Sequence, residues 1–283
     1  SEEKRREMVK KSVAAITDIY QNSILKDSSR NSFMIKRMED LADRTVWAMG
    51  EQLKCGDFVP FVFEHKFNME VGDGDRKQLM SGTIDRVDIC ENGTDVYVRI
   101  IDYKTGKKDF NIVKTYYGID IQLMVYMEAA MKLVAKMRPG KNVIPAGVFY
   151  YNISDPIVSA TTESAEEIED KIKGELRLKG MVNSDKDIAE KMDNTEGTSL
   201  NIPVSRKADG GFDSRRSKVM NTEQFNMLGR FVDVRAIDTA DRIVGGDIRR
   251  SPYKDGQFSS CDRCPYGAVC GFSVDLPGCN YRK

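Results

Sequence analysis

The sequence predicts an α/β fold in which a mixed central sheet is flanked by helices, with a helical N-terminal segment and a cysteine-rich C-terminal tail. Apolar residues recur at threes and fours through the first 56 residues, which is the period of a helix. Three runs rich in β-branched and aromatic residues follow, separated by Gly, Asn and Asp clusters. A further helix and a further strand come next, and this order is typical of an α/β core.

Composition limits the function. The chain has 283 residues, 40% of them hydrophobic and 31% charged, which suits a protein with a sizeable core. Its formal net charge is zero, so contact with nucleic acid has to use local basic patches such as Lys107–Lys108, 215–218 or Arg249–Arg250. The sequence has no apolar run of membrane-spanning length and no recognisable signal peptide, so we expect no membrane contact. Four of the six cysteines lie in the last 23 residues, unlike a secreted disulfide framework, so we expect a cytoplasmic protein.

The N-terminal segment is predicted to form two amphipathic helices. Residues 26–32 separate them, and Gly56–Asp57 ends the second helix. Their apolar positions are Met8, Val9, Val13, Ile16, Ile19 and Tyr20 in the first helix and Met34, Met38, Leu41, Val46, Met49 and Leu53 in the second.

Three strands are predicted next, over 59–69, 78–90 and 96–104. The Gly- and Asp-rich segment 72–77 separates the first two, and an Asn-Gly turn within 91–95 separates the second from the third. We therefore expect an antiparallel meander in which the second and third strands pair directly.

The remaining elements complete the core and extend it. A helix is expected over 116–134, and a strand over 144–154 is predicted to lie parallel to the third because it follows a helix. The predicted inner face of that helix is Ile121, Met124, Val125, Ala129 and Leu133. From Ala165 the polar composition predicts a mobile, exposed insertion, followed by a helix over 222–244 that ends at Gly245–Gly246. The expected parts are a helical N-terminal part (1–56), the core (57–160), the insertion with its C-terminal helix (161–250) and the cysteine tail (251–283).

An acid and a lysine end the third strand. Because side chains on a strand alternate between faces, Asp102 and Lys104 share one face. Asp85 lies within the apolar run of the second strand, and pairing of the two strands lets Asp85 and Asp102 converge. Two such carboxylates need a cation or a proton, and Mg²⁺ or Mn²⁺ prefers carboxylate and carbonyl oxygens.

This pattern favours phosphodiester hydrolysis at a metal site. The metal would polarise a phosphoryl oxygen and hold the attacking hydroxide, while Lys104 would stabilise transition-state charge or orient the water. The backbone carbonyl of Tyr103 would complete the metal's coordination. A surface ion pair between Asp102 and Lys104, worth about 0–1 kcal/mol, is the alternative. An apolar strand rarely carries such residues without a role, however.

Three separated motifs in this region resemble the RecB-type branch of the PD-(D/E)xK nucleases. They are GTIDRVD at 82–88, IDYKTGKK at 101–108 and YYGIDIQLMVY at 116–126. The resemblance implies a restriction-endonuclease-like core and places Gln122 and Tyr126, four residues apart on one helix face, at the active site. It also matches Glu64 to a supporting acid at the end of the first strand. A helix surface and a strand-face ion pair are the alternatives for these positions.

Residues beside the motifs have supporting roles in this interpretation. We expect Arg86 and Asp88 to pair with neighbours and so brace Asp85. His65 is the only histidine, and we interpret it as structural. With no second histidine, metal chemistry at a histidine pair is excluded.

Cysteines concentrate at the C-terminal end of the sequence. The segment CDRCPYGAVC contains Cys261, Cys264 and Cys270, whose thiolates would hold zinc or a [4Fe–4S] cluster if a fourth ligand joined them. Candidates for that ligand are Cys279, Cys55 or a residue outside the chain. A disulfide between the first two is the alternative, which a reducing cytosol disfavours.

The tail extends the resemblance over most of the chain. CDRCPYGAVCGF, LADRTVWAMGEQLKCGDFVP, YYGIDIQL and PAGVFYY are similar to the C-terminal part of AddB-type subunits of bacterial helicase-nucleases. The resemblance implies a Mg²⁺-dependent exonuclease that cleaves single-stranded DNA ends in double-strand-break repair and recombination, with an AddA-like partner. It further implies a [4Fe–4S] cluster held by the three tail cysteines and one upstream cysteine.

The sequence departs from that family in two features. The upstream cysteine and a metal-binding histidine in a G-x-x-x-H context have no counterpart here, which implies a C-terminal fragment with an incomplete cluster. One alternative function is a DNA-binding or scaffolding module with a cluster and little catalysis. Intact Asp85, Asp102 and Lys104 argue against it. The other is a CRISPR-adaptation exonuclease with the same core, whose first cysteine usually lies near its own start.

Overall fold

The computed structural model describes residues 1–19, 28–72, 74, 77–159 and 162–282. The helices are α1 (Glu2–Ile19), α2 (Ser29–Lys54), α3 (Ile112–Tyr116), α4 (Gln122–Met137), α5 (Ala165–Glu175), α6 (Lys186–Met192), α7 (Thr222–Val244) and α8 (Gly267–Cys270). The strands are β1 (Val59–Val71), β2 (Gln78–Asn92), β3 (Asp95–Lys104), β4 (Asn142–Asn152), β5 (Lys179–Asn183), β6 (Val219–Met220), β7 (Lys254–Asp255) and β8 (Phe258–Ser259). None of the described helices is long and apolar enough to cross a membrane.

The central sheet is mixed, as the sequence predicts. Its strands follow chain order from β1 to β6. The β2–β3 and β4–β5 pairs are antiparallel, whereas β3–β4 and β5–β6 are parallel. A two-residue loop joins β2 to β3, and its Gly93 has a positive φ of 59°, which glycine adopts at little cost. The predicted hairpin and the parallel fourth strand are both confirmed.

The chain forms two compact units. The first comprises Ser1–Met69, Ser81–Phe110 and Gln122–Gly229, and it contains most of the central sheet. The second comprises Glu70–Met80, Asn111–Ile121 and Arg230–Lys283. Within the second unit, the buried Tyr253 packs against Tyr117 and Phe258, at ring-centroid distances of 4.8 and 6.3 Å.

Both faces of the sheet are covered in the first unit. On one face, α2 and α6 bury apolar side chains against β3 and β4, where Ile101 and Tyr151 are almost inaccessible. The helix α4 packs against the same two strands and buries Leu123, Ala130 and Val134 completely. Strands covered on two sides read as continuous apolar runs, which explains the sequences of β3 and β4.

The two N-terminal helices form as predicted. The Oγ of Ser28 accepts a hydrogen bond from the backbone of Asn31 and so caps α2. Arg5 of α1 binds Asp43 of α2 through two hydrogen bonds of 2.7 and 3.0 Å. Three predicted apolar positions of α1, namely Met8, Ile16 and Ile19, are exposed. Tyr20, residues 26–27 of the separating segment and residues 73, 75 and 76 of the predicted turn lie outside the described residues.

The helix predicted over 116–134 begins later, at Gln122. Gly118 has a φ of 73°, outside the helical range, and the Ile119 N–H turns back to donate to the carbonyl of Lys114. This turn ends α3 and makes Gln122 the first residue of α4. The helix predicted over 222–244 is found with the same bounds, and its end at Gly245–Gly246 is confirmed.

The prediction of an exposed insertion after Ala165 is wrong for much of that stretch. The strand β5 belongs to the central sheet, and a Cβ added at Gly180 would lie 1.9 Å from the carbonyl oxygen of Val148. After α6, the buried Asp193 carboxylate accepts hydrogen bonds of 2.7 and 2.8 Å from Ser199 and Asn201. Polar side chains can be buried when they hydrogen-bond to one another, so a polar composition alone does not predict that a segment is exposed.

Candidate active site

Asp85 and Asp102 occupy adjacent register positions on one face of the sheet, and the charge of Asp85 acts on the Asp102 carboxyl group. The β2–β3 ladder runs to the pair Arg86–Ile101, and the next pair in this register is Asp85–Asp102. The Oδ2 of Asp85 accepts a 2.7 Å hydrogen bond from the backbone N–H of Tyr103. This hydrogen bond from β3 therefore holds the Asp85 side chain beside the end of that strand.

Asp102 is buried, with only 2% of its surface exposed. Burial raises the pKa of its carboxyl group, the positive charge of Lys104 opposes the rise, and the negative charge of Asp85 adds to it. Oδ2 of Asp102 lies 2.5 Å from Nζ of Lys104, yet among the described residues it makes no hydrogen bond of acceptable geometry. The adjacent Lys104 ammonium stabilises this buried carboxylate as an anion, and a metal cation would stabilise it further.

The donor atoms at this position suit a hard divalent ion. Mg²⁺ is commonly bound by one or two carboxylates, with water and substrate phosphates completing its coordination. Asp85 and Asp102 supply two carboxylates here. The carbonyl of Tyr103 lies on the strand edge that faces Asp85, because the N–H and C=O of a strand residue point to the same edge. Within the described ranges, no three His, Cys, Asp or Glu side chains converge as a metal-binding group, so Glu64 is not a third carboxylate here.

Two residues of β4, Tyr150 and Asn152, lie beside this centre. Tyr150 pairs in register with Asp102, and its buried ring lies 5.8 Å from Nζ of Lys104 and 5.6 Å from Nζ of Lys108. The amide of Asn152 binds both the N–H and the C=O of Lys108, at 3.0 and 2.9 Å. This amide therefore fixes the loop that follows Lys104. Only the parallel register of β3 and β4 reveals these neighbours.

Gln122 and Tyr126 interact with each other on α4. Nε2 of Gln122 donates a 2.8 Å hydrogen bond to the hydroxyl of Tyr126, whose ring packs edge-on against Phe67 at 5.8 Å. A Cβ at Gly82 would lie 3.0 Å from the Phe67 ring and 3.3 Å from the Tyr126 ring. The glycine that opens the GTIDRVD motif therefore lets Tyr126 pack beside the strand of Asp85. No hydrogen bond within the described part joins this pair to the carboxylates or Lys104.

A buried charge cluster lies on the opposite face of β2 and β3. Asp88 is completely buried and binds Arg86 through two hydrogen bonds of 2.6 and 2.8 Å. Arg99 contacts the same carboxylate at 2.8 and 2.9 Å and lies 4.9 Å from the Phe58 ring centroid. Burial lowers the pKa of Arg99 against the pull of Asp88. Arg86 and Asp88 thus pair as expected, with Arg99 as a third member that the sequence did not indicate.

Tyr103 connects this buried cluster to Asp85 on the other face of the sheet. Nη1 of Arg86 lies 3.5 Å from the Tyr103 hydroxyl, and the backbone N–H of Tyr103 holds Asp85. Burial is the largest single influence on the Arg86 guanidinium and lowers its pKa, but the hydrogen bonds to Asp88 and the negative charge of that carboxylate together outweigh burial and raise the pKa. Arg86 therefore connects to Asp85 through the side chain and backbone of Tyr103 on β3, and not through a direct contact on one face of the sheet.

Glu64 has an unusual backbone for a strand residue. Its φ is +48°, in the left-handed region that costs a residue with a Cβ about 1–2 kcal/mol. The side chain is exposed. Strained positions of this kind cluster at functional sites, so Glu64 stays a candidate for a supporting role.

This strain leads to a stability prediction. Glu64→Gly is expected to be more stable than Glu64→Ala by about 1 kcal/mol, because glycine adopts a positive φ without steric cost. Both variants lack the carboxylate, so their difference isolates the backbone. Urea denaturation measures it, and an alanine variant at least as stable as the glycine variant would contradict the strain.

The tail cysteines are free thiols. Cys261 and Cys270 are half-buried and Cys264 is exposed, while Cys279 is buried. The described residues contain no group of three potential metal ligands, so the side chains as placed do not fit an assembled cluster. The iron–sulfur cluster stays a prediction from the resemblance, and no chemistry at the site depends on it.

Comparison with known proteins agrees with the geometry. The sequence profile of the PD-(D/E)XK nuclease superfamily matches residues 1–271. The chain is 36% identical to the B-type subunit of the ATP-dependent helicase/deoxyribonuclease of Clostridium botulinum strain Hall over 269 residues, which are 91% of this chain and 23% of that protein. The proteins of the same name from Caldanaerobacter subterraneus subsp. tengcongensis and Clostridium tetani are 36% and 34% identical, over 96% and 93% of this chain and 24% of each relative.

The chain thus spans about a quarter of the length of the curated relatives that it matches. Their name is the one that the resemblance to AddB-type subunits predicts, so that resemblance is confirmed. The mixed sheet, with Asp85 and Asp102 on neighbouring strands, lies within the residues that this profile matches. The chain belongs to the PD-(D/E)XK nuclease superfamily.

Proposed function

We propose that this chain is a metal-dependent DNA exonuclease region that hydrolyses phosphodiester bonds at single-stranded DNA ends. One observation carries the proposal: Asp85 and Asp102 converge on one face of the sheet, and the Lys104 ammonium lies 2.5 Å from the buried Asp102 oxygen. Paired carboxylates with an adjacent ammonium suit the handling of a negatively charged phosphodiester.

Each residue of the site receives a role in this proposal. Asp85, Asp102 and the carbonyl of Tyr103 would hold Mg²⁺ or Mn²⁺, which when bound supplies Lewis acidity to a phosphoryl oxygen. Lys104 binds a non-bridging oxygen of the scissile phosphate and stabilises the charge that develops there. Gln122 and Tyr126, joined by their hydrogen bond, orient the DNA or the lysine.

The biological setting rests on the relatives. They are named as helicase/deoxyribonuclease subunits, which supports a role beside an AddA-like partner in repair and recombination of broken DNA. The same names favour this setting over a free-standing CRISPR-adaptation enzyme. The six free cysteines suit a reducing compartment, so a cytoplasmic location is part of the proposal.

The function is tested by Mg²⁺-dependent degradation of end-labelled single-stranded DNA. Lys104→Ala is expected to slow degradation by about 100- to 1,000-fold, because an ammonium aimed at the scissile phosphate is lost. Lys136→Ala is the matched control, since Lys136 is an exposed lysine at the end of α4, and we expect its activity to be unchanged.

The outcomes separate the candidate functions. Equal degradation by the wild type and Lys104→Ala would end the assignment of Lys104. A wild type that binds single-stranded DNA but does not degrade it with Mg²⁺ or Mn²⁺ would favour the DNA-binding or scaffolding alternative. Duplex and single-stranded substrates compared side by side test the strand preference.

A further inference from the structure

A row of residues crosses the sheet from the carboxylates to β5. Asp102 pairs in register with Tyr150, and Tyr150 pairs in register with Lys179. Register partners on adjacent strands project from the same face, so Lys179 shares the face of Asp102. With two strand spacings between them, their backbones are about 10 Å apart.

Lys179 is half-buried and lacks a close counter-charge. Among the described residues it forms no ion pair, and Asp109 and Glu175 act on it only at longer range. Burial, together with the positive charge of Arg177, lowers the pKa of Lys179. The nearby Lys218, in contrast, is paired with Asp109. The Lys179 ammonium therefore remains available to bind an anion from outside the chain.

Two further lysine side chains lie beside the row between Asp102 and Lys179. Lys104 and Lys108 both lie over the ring of Tyr150, which occupies the middle of the row. The amide of Asn152 fixes the backbone from which the Lys108 side chain extends. The phosphate backbone of a DNA strand that runs from the carboxylates towards β5 therefore passes several lysine side chains.

We propose that Lys179 binds a backbone phosphate next to the scissile one and so guides single-stranded DNA across β4 and β5. The contact is with phosphate and carries no base specificity, as expected for a lysine acting as a point charge. This inference rests on the proposed function and adds the path of the substrate. It also assigns a purpose to a half-buried ammonium that the carboxylate centre does not use.

The test measures binding of a fluorescent single-stranded oligonucleotide by the whole chain in chelator, as a function of salt. Lys179→Gln is expected to reduce the slope of log affinity against log salt by about 0.7, the value for one phosphate contact on a single strand. The wild-type advantage then grows about fivefold when the salt concentration is lowered tenfold. In Mg²⁺, KM is expected to rise while kcat stays within about twofold, because uniform binding is lost.

Two further variants interpret the result. Lys179→Arg keeps the charge and is expected to retain the wild-type slope, whereas Lys132→Gln, on the outer side of α4, is expected to change neither slope nor KM. If the wild type degrades DNA but the salt-dependence slope of Lys179→Gln equals that of Lys132→Gln, this inference is overturned and the proposed function stands. A wild type that neither binds nor degrades DNA overturns the proposed function itself.

Discussion

Replacing Asp102 with asparagine is expected to lower the rate of DNA hydrolysis roughly 1,000-fold, the largest loss of activity that the site predicts. Asparagine keeps the shape of the side chain but removes the anion that pairs with Lys104 at 2.5 Å and would bind the metal. The measurement is the initial rate of single-strand degradation with Mg²⁺, at equal concentrations of folded protein. Asp170→Asn, on the exposed side of α5, is the matched control and is expected to retain full activity.

The same variant has a pH signature in stability. The folded-state pKa of Asp102 is raised by burial, so its contribution to stability is greatest below the unfolded pKa and is lost as pH rises through the raised value. Asparagine does not titrate. The stability of the wild type relative to Asp102→Asn should therefore fall between acidic and neutral pH, as urea denaturation at several pH values would measure. A difference independent of pH would contradict the raised pKa.

Replacing Asp88 with alanine is expected to cost about 3–5 kcal/mol of unfolding free energy. Asp88 is completely buried between Arg86 and Arg99, and both guanidinium groups stay buried when the carboxylate is removed. Two uncompensated positive charges in the interior are far more costly than the lost hydrogen bonds alone. Urea denaturation of both proteins at neutral pH gives the difference.

The control for this loss is an exposed ion pair. Asp40 binds Lys36 on the surface of α2 at 2.8 Å, and both side chains are largely exposed. Asp40→Ala is expected to cost at most about 1 kcal/mol. If Asp88→Ala cost no more than Asp40→Ala, the buried cluster would not be the brace of the β2–β3 pair that its geometry suggests.

Local patterns in the sequence determined much of the core. The alternation on β2 and β3, together with the Asn-Gly turn between them, predicted that Asp85 and Asp102 converge and that Lys104 shares their face. A short hairpin makes this prediction reliable, because the turn sets the register and the register sets which side chains meet. The bounds of α7 were predictable for a similar reason, since helical period and the closing glycines are both local signals.

Contacts between distant segments were decided only by the tertiary structure. The register of β3, β4 and β5 places Tyr150 and Lys179 in a row with Asp102, although 77 positions separate the two ends of that row. The burial of Asp193 also requires segments that no local period connects, whereas Arg99 is the direct register partner of Asp88 within the β2–β3 hairpin. Sequence periodicity states which face a side chain occupies, whereas the packing of separate strands and helices decides which charges share that face and which become buried.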